Sequence, residues 1–171
     1  MNRINEIVNE LKQQNYQSFD EFYQTTSRLV YVMIVKYIND KQLVEDLMQD
    51  TYCKFLEVIA KIQTEVNPTA YLAQIAKNLA INEVNKQKRV VLDEEYVYTV
   101  KQEIDPENNK VSLGIIDYLT GDDYQVVSMH IVGMMKFKDI AKVMNKPLGT
   151  VLWIYNRAIK KLKSKVGDYN A

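Results

Sequence analysis

Phe137-Lys138-Asp139-Ile140-Ala141-Lys142-Val143-Met144, followed by Asn145-Lys146-Pro147-Leu148-Gly149 and then Thr150-Val151-Leu152-Trp153-Ile154-Tyr155-Asn156-Arg157-Ala158-Ile159-Lys160-Lys161-Leu162, is the stretch whose reading decides the fold. The first eight residues have the pattern of a two-turn amphipathic helix. The next five form a tight connection with Pro and Gly. From Thr150 on, Val151, Tyr155, Ala158 and Leu162 recur at helical spacing and cluster within about 60° at 100° per residue, which marks a buried side. Trp153, Arg157, Lys160 and Ser164 fall on the opposite side. Small Ala141 permits a close crossing. This is the grammar of a helix-turn-helix, with a second helix sized for the DNA major groove. A basic amphipathic helix alone reads equally as a solvated surface. The preceding short helix and turn favour the DNA reading.

Working outward, the same regularity holds. Gly (5) and Pro (3) are scarce, which favours long helices over a many-turned β fold. Ile4, Ile7, Val8 and Leu11 form a stripe on a helix over 2–15. Ser18 and Glu21 fit a capping box opening a helix that reaches about Tyr37. Asn39-Asp40 breaks it. A helix from Gln42 to about Lys61 buries Leu43, Leu47, Tyr52, Phe55, Leu56 and Ile59. Asn67 as N-cap and Pro68 at the first helical position start another, to about Lys88, with Leu72, Ile75, Ala76, Leu79 and Val84 inward. Periodicity then lapses in an acidic linker. Leu113–Leu119 reads as a short helix, and Tyr124–Met135 as a longer one. The expected fold class is all-α: two small helical domains, 1–90 and 113–171, joined by the linker 91–112.

A net charge of zero argues against a free-standing DNA binder, but it averages over strong asymmetry. Met1–Val66 carries −3, Asn67–Val90 +3, Val91–Asp123 −7 and Tyr124–Val166 +8. Two basic stretches separated by an acidic one suggest two nucleic-acid contacts. The lone Cys53 excludes an internal disulfide and a cysteine-based zinc cage, and reads as a small packing residue. His130 has no partner ligands and reads as structural. Met129, Met134 and Met135 read as core filling, with a methionine-rich partner surface as the second reading. No glycine-rich phosphate loop, metal-spaced cluster or nucleophile–base pair is found, so no catalytic residue, metal or cofactor is expected. No signal peptide and no stretch of membrane-spanning length is read, which makes the cytoplasm the expected location.

These residues carry a family resemblance. Phe137–Ala141, Pro147–Val151 and Asn156–Leu162 resemble region 4 of sigma-70-family transcription initiation factors, in particular the small group IV, extracytoplasmic-function type. Members commonly combine an aromatic-acidic-acidic-Ile-Ala helix, a Pro-x-Gly-Thr-Val turn and an x-Arg-Ala-x-x-x-Leu helix. Independently, Glu45-Asp46-Leu47-Met48-Gln49-Asp50-Thr51-Tyr52 and Asn67-Pro68-Thr69-Ala70-Tyr71-Leu72-Ala73-Gln74-Ile75-Ala76-Lys77-Asn78-Leu79-Ala80-Ile81-Asn82 are similar to the two motifs of region 2. The matches fall in family order and together cover most of the chain.

The resemblance implies a promoter-specificity subunit that binds core RNA polymerase through its β′ and β subunits, recognises the −10 and −35 elements and helps open DNA. It implies polymerase docking at Glu45, Asp46, Gln49 and Asp50, which otherwise read as a solvated acidic face. It implies −10 contacts on the Pro68 helix and its preceding loop, about Lys61–Asn67. Asn78, Asn82 and Lys86 recur there at i, i+4, i+8, with Lys77 and Arg89 nearby; amides suit base edges and lysines phosphate. Tyr71, in the place of a common family tryptophan, reads either as a base-stacking group or as core. The −35 candidates are Thr150, Trp153, Arg157, Lys160 and Lys161. The linker reads as a tether or as an acidic mimic of nucleic acid inside polymerase. Small sigma factors are often held by an anti-sigma partner.

One place departs from the family. Leu152-Trp153-Ile154 stands where Lys or Arg and Ser are common. Trp153 reads as a contact to thymine methyls, as a partner site or as packed. Two other functions therefore stand beside the first. One is a sigma-like regulator, dimeric through Leu152, Trp153 and Ile159, that does not initiate. The other is a polymerase-binding protein without DNA.

Overall fold

Asn67-Pro68 is among the clearest local signals in the sequence, and the fold uses it as read. The computed structural model describes residues 3–61, 67–94 and 114–169. Asn67 Oδ1 accepts from the Ala70 amide at 3.2 Å. Pro68 takes the first helical position, where its missing N–H has no partner to lose. The helix it starts, α4, runs Pro68–Glu94, beyond the expected end near Lys88. Before it come α1 (Arg3–Lys12), α2 (Phe19–Val35) and α3 (Lys41–Val58), the last extended by a 3-10 turn, Ile59–Lys61. After it come a 3-10 turn, Gly114–Tyr118, then α5 (Gly121–Val127), a π-helical turn (Ser128–Val132), α6 (Phe137–Val143) and α7 (Leu148–Tyr169). Among the described residues all regular structure is helical. Apart from 91–94 at the end of α4, the acidic linker lies outside them.

Local chemistry explains where the elements differ from expectation. The Ser18–Glu21 capping box does not form. Ser18 Oγ donates to Glu10 at 2.6 Å, and Glu21 receives the Arg3 guanidinium, also at 2.6 Å. A charge-assisted fork outcompetes a neutral bond to a backbone amide. Asp40 instead caps α3, accepting from the Leu43 amide at 3.0 Å. The single helix expected over Tyr124–Met135 is divided. The Gly133 amide bonds back five residues to Ser128, and Met134 adopts φ 49° as the chain turns toward α6. That turn carries Met134 outward to 88% exposure, so it fills no core, whereas Met129 and Met135 are buried. Cys53 is exposed rather than packed, because the phase of α3 places it on the same open side as Gln49 and Asp50.

α2 is the central element. From Leu29 to Val35 nearly every position is buried, so this half of the helix is apolar all round. One side of α2 packs with α1, α3 and α4 around Phe22, Phe55, Leu72 and Ala76. That core continues into the C-terminal half through Val126, Met129, Met135, Ile140, Ala141, Val151 and Ile154. From the other side of α2, Val32 enters a second cluster with Leu119, Tyr124, Val127, Ala158 and Leu162. Burying an aliphatic side chain of this size contributes about 1.5–3 kcal/mol. The two halves of the chain therefore share an apolar seam.

Polar bonds align the seam. Tyr124 Oη donates to the Val32 carbonyl at 2.6 Å, and Lys36 Nζ donates to the Leu119 carbonyl at 2.6 Å. Lys77 Nζ reaches Gln125 Oε1 at 2.8 Å, Gln125 donates to Gln74 at 3.0 Å, and Asn67 Nδ2 reaches Asp139 at 3.2 Å. Gly133 allows the closest approach. A Cβ there would lie 2.7 Å from the Met129 carbonyl oxygen and 2.8 Å from Leu29 Cδ2.

Candidate polymerase and nucleic-acid interfaces

Three exposed polar faces, each on its own helix, gather the residues that the sequence singled out. On α3, the apolar positions Val44, Leu47, Thr51 and Phe55 turn inward, which leaves Glu45, Asp46, Gln49 and Asp50 exposed together. The result is an acidic strip on a helix whose other side is anchored in the core.

On α4, inward Leu72, Ala73, Ala76 and Ala80 leave Asn78, Asn82 and Lys86 exposed, one helical turn apart. Gln74 donates to Asn78 Oδ1 at 3.2 Å, and Lys86 pairs with Glu83 at 3.6 Å. Amides and an ammonium therefore line one face. Lys77 is not on this face; it is half-buried and bound to Gln125 in the seam. Tyr71 is half-buried and packs on the core. The side chain of Arg89 and the loop residues 62–66 lie outside the described residues.

On α7, buried Val151, Ile154, Ala158 and Leu162 leave Thr150, Trp153 and Lys160 exposed. Arg157 and Lys161 lie on the same side of the helix but are engaged within the chain. Both bond to Asp123, a carboxylate in the first turn of α5 that is only 1% exposed. Arg157 Nε donates at 3.0 Å and Arg157 Nη2 makes a second, shorter bond; Lys161 Nζ lies at 2.5 Å. Burial alone would push the Asp123 carboxyl up. The bonds from Arg157 and Lys161 outweigh it and hold the group below its ordinary value. The Arg157 guanidinium also lies over the Trp153 ring, 4.4 Å from its centroid. Trp153 is 59% exposed.

The helix-turn-helix is braced by an aromatic cluster. His130 stacks on Phe137 at 4.1 Å and meets Tyr155 edge-on at 5.0 Å, while its Nδ1 lies 2.8 Å from the Met135 carbonyl oxygen. His130 thus joins the π-helical turn to α6 and α7. Sequence reasoning missed Asp123, Gln125 and Gly133. Asp123 stands 34 and 38 residues before its partners, so no local pattern marks it. Among the described residues no cluster of three or more His, Cys, Asp or Glu could hold a metal, and no helix is long and apolar enough to cross a membrane.

Comparison with known proteins places this geometry. The family model of Sigma-70 region 2 matches residues 22–90, which span most of α2, all of α3 and most of α4. The ECF RNA polymerase sigma factor SigM of Bacillus subtilis (strain 168) is 24% identical over 155 residues, covering 86% of this chain and 94% of its own length. The fold is similar to that of CnrH, solved in complex with the cytosolic domain of CnrY, with a TM-score of 0.68, 14% identity and coverage of 96% of this chain and 97% of that one. It is also similar to the sigma factor RpoE from Bartonella quintana, solved with the anti-sigma factor NepR, with a TM-score of 0.64, 19% identity and coverage of 88% and 98%. Residues 22–90 thus match Sigma-70 region 2, and over most of its length the chain is similar in sequence to an RNA polymerase sigma factor of the extracytoplasmic-function type and in fold to solved sigma factors.

Proposed function

We propose that this chain is a sigma factor that works in the cytoplasm as a two-handed promoter reader. Region 2, within 1–90, docks on core polymerase through Glu45, Asp46, Gln49 and Asp50. It reads the −10 element with Asn78, Asn82, Lys86 and Arg89, with Tyr71 set at the edge of that face. Region 4, within 113–171, reads the −35 element with the α7 face that includes Thr150, Trp153 and Lys160. The observation that carries this reading is the separation of an acidic, an amide-rich and a basic exposed face onto three helices, each backed by core. Acids suit basic partner helices, amides suit base edges, and cations suit phosphate.

Promoter reading requires the seam to part. Elements about 25 base pairs apart are separated by about 85 Å along B-form DNA. A closed chain of this length has a radius of gyration of about 16 Å, too small to touch both. Residues 95–113, fully extended, reach about 65 Å, enough to bridge the remainder. In this account Lys77, engaged by Gln125 in the closed form, joins the −10 face only when the halves separate. CnrH and RpoE were each solved with a partner protein, named for RpoE as an anti-sigma factor, and we extend that class of partner to this chain. Co-purification with core polymerase, followed by sequencing of the bound DNA, tests the reading. It expects two enriched elements at fixed spacing. Core binding without sequence enrichment contradicts it.

A further inference from the structure

α7 carries a run of basic residues, yet two of its cations do not face solvent freely. Arg157 and Lys161 converge from consecutive turns of α7 on a single buried carboxylate, Asp123. The same guanidinium covers one face of the Trp153 indole at 4.4 Å. A chain of contact thus runs from a buried anion through a planar cation to an exposed aromatic ring. The Asp123 carboxylate cannot move without leaving a charge stranded in the core, so it is a fixed anchor. A guanidinium bonded through two nitrogens holds one orientation, and a ring stacked on it loses rotamer freedom.

We propose that Asp123 is a positioning residue for promoter recognition: it fixes Arg157 behind Trp153 and, with Lys161, withdraws both cations from phosphate. The consequence is a division of labour on one helix. Trp153 is presented as a rigid apolar reader suited to the methyl of thymine, the one base-edge feature of the major groove that an indole recognises without hydrogen bonds. The sequence-independent attraction then falls to cations such as Lys160 and Lys163, which are exposed. A helix with fewer free cations binds random DNA less and discriminates more. This also explains how the family-atypical Leu152-Trp153-Ile154 is accommodated: the indole is held by Arg157 of its own helix, which a carboxylate from another helix fixes. The inference rests on α7 being the −35 reader, and the test separates the two.

Trp153 is the only tryptophan, so intrinsic emission reports on it directly. In the full chain without DNA, Asp123→Asn and Arg157→Gln each raise acrylamide quenching of Trp153 and add a fast component to its anisotropy decay. With duplex DNA, Asp123→Asn frees two cations, so the slope of log K against log salt steepens by about 1 to 2. Preference for the selected −35 duplex over a scrambled one falls. Arg157→Gln lowers that preference but leaves the slope unchanged, because its charge was already committed; where Asp123→Asn fails to fold, this variant carries the test. Unchanged quenching in Arg157→Gln overturns the positioning role, and so does a slope shallower by about 0.9, which marks a direct phosphate contact. A variant-sensitive Trp153 that ignores every duplex overturns the reading of α7, and the positioning role with it.

Discussion

The Tyr124 hydroxyl donates to the Val32 carbonyl at 2.6 Å across 92 positions of sequence. Tyr124 lies in α5 of the C-terminal half and Val32 in the central helix of the N-terminal half, so this bond ties the two together. Both residues are buried, and burial pushes the Tyr124 phenol well above its ordinary range. Tyr124→Phe keeps the ring in its apolar site and removes the donor. The expected loss is about 1–1.5 kcal/mol, read as a lower urea midpoint at unchanged m-value.

Gly133 sets how closely the halves approach. A Cβ at this position meets backbone at 2.7 Å and Leu29 at 2.8 Å, and the backbone cannot yield as a side-chain tip can. Gly133→Ala should cost about 1–3 kcal/mol. Leu29→Ala in the same chain removes one of the two collisions and should therefore cost less there than it does in the wild-type background. Strict additivity in that double-mutant cycle would place the strain at Met129 alone.

Legibility in the sequence followed the range of the interactions. The α4 start was readable because Asn67, Pro68 and the Ala70 amide are neighbours in the chain. The faces of α3 and α7 were readable because helical periodicity alone separates Asp46 from Leu47 and Trp153 from Val151 and Ala158. The Ser18–Glu21 box failed because Arg3 and Glu10, on another helix, competed for both side chains. The seam was unreadable. Val32 has the same pattern whether its partners are in α4 or, as here, include Leu119 and Ala158. Arg157 and Lys161 looked like free cations because their anion, Asp123, belongs to a segment read only as acidic.

Tyr52 gives the fold an alkaline limit. Its hydroxyl lies 2.8 Å from Thr26 Oγ1 under Phe19 and Phe22, and burial pushes its pKa up to about 12. The unfolded phenol ionises near its ordinary value of 10, so the unfolded chain loses this proton first. Stability contributed by the neutral phenol is full below about pH 10 and declines toward pH 12. Tyr52→Phe should flatten the fall in melting temperature across that window, while retaining the falls due to other groups. An unchanged alkaline profile would remove Tyr52 from the account.

The acidic strip of α3 should matter to binding and not to stability. Asp46 and Gln49 are both exposed. Asp46→Lys should leave the thermal midpoint within about 0.5 kcal/mol of wild type. It should weaken core polymerase binding about tenfold or more, chiefly through slower association at low salt. Equal affinity for the two proteins would move the docking surface elsewhere.

Run-off transcription with core polymerase, on templates in which the spacing between the two selected elements is varied, tests the central claim most directly. The account predicts discrete transcripts that require both elements and vanish when the spacing departs from the selected value by a few base pairs, since opening the seam sets two hands at one separation. Transcripts that survive loss of either element, or no transcripts despite intact core binding, would contradict it.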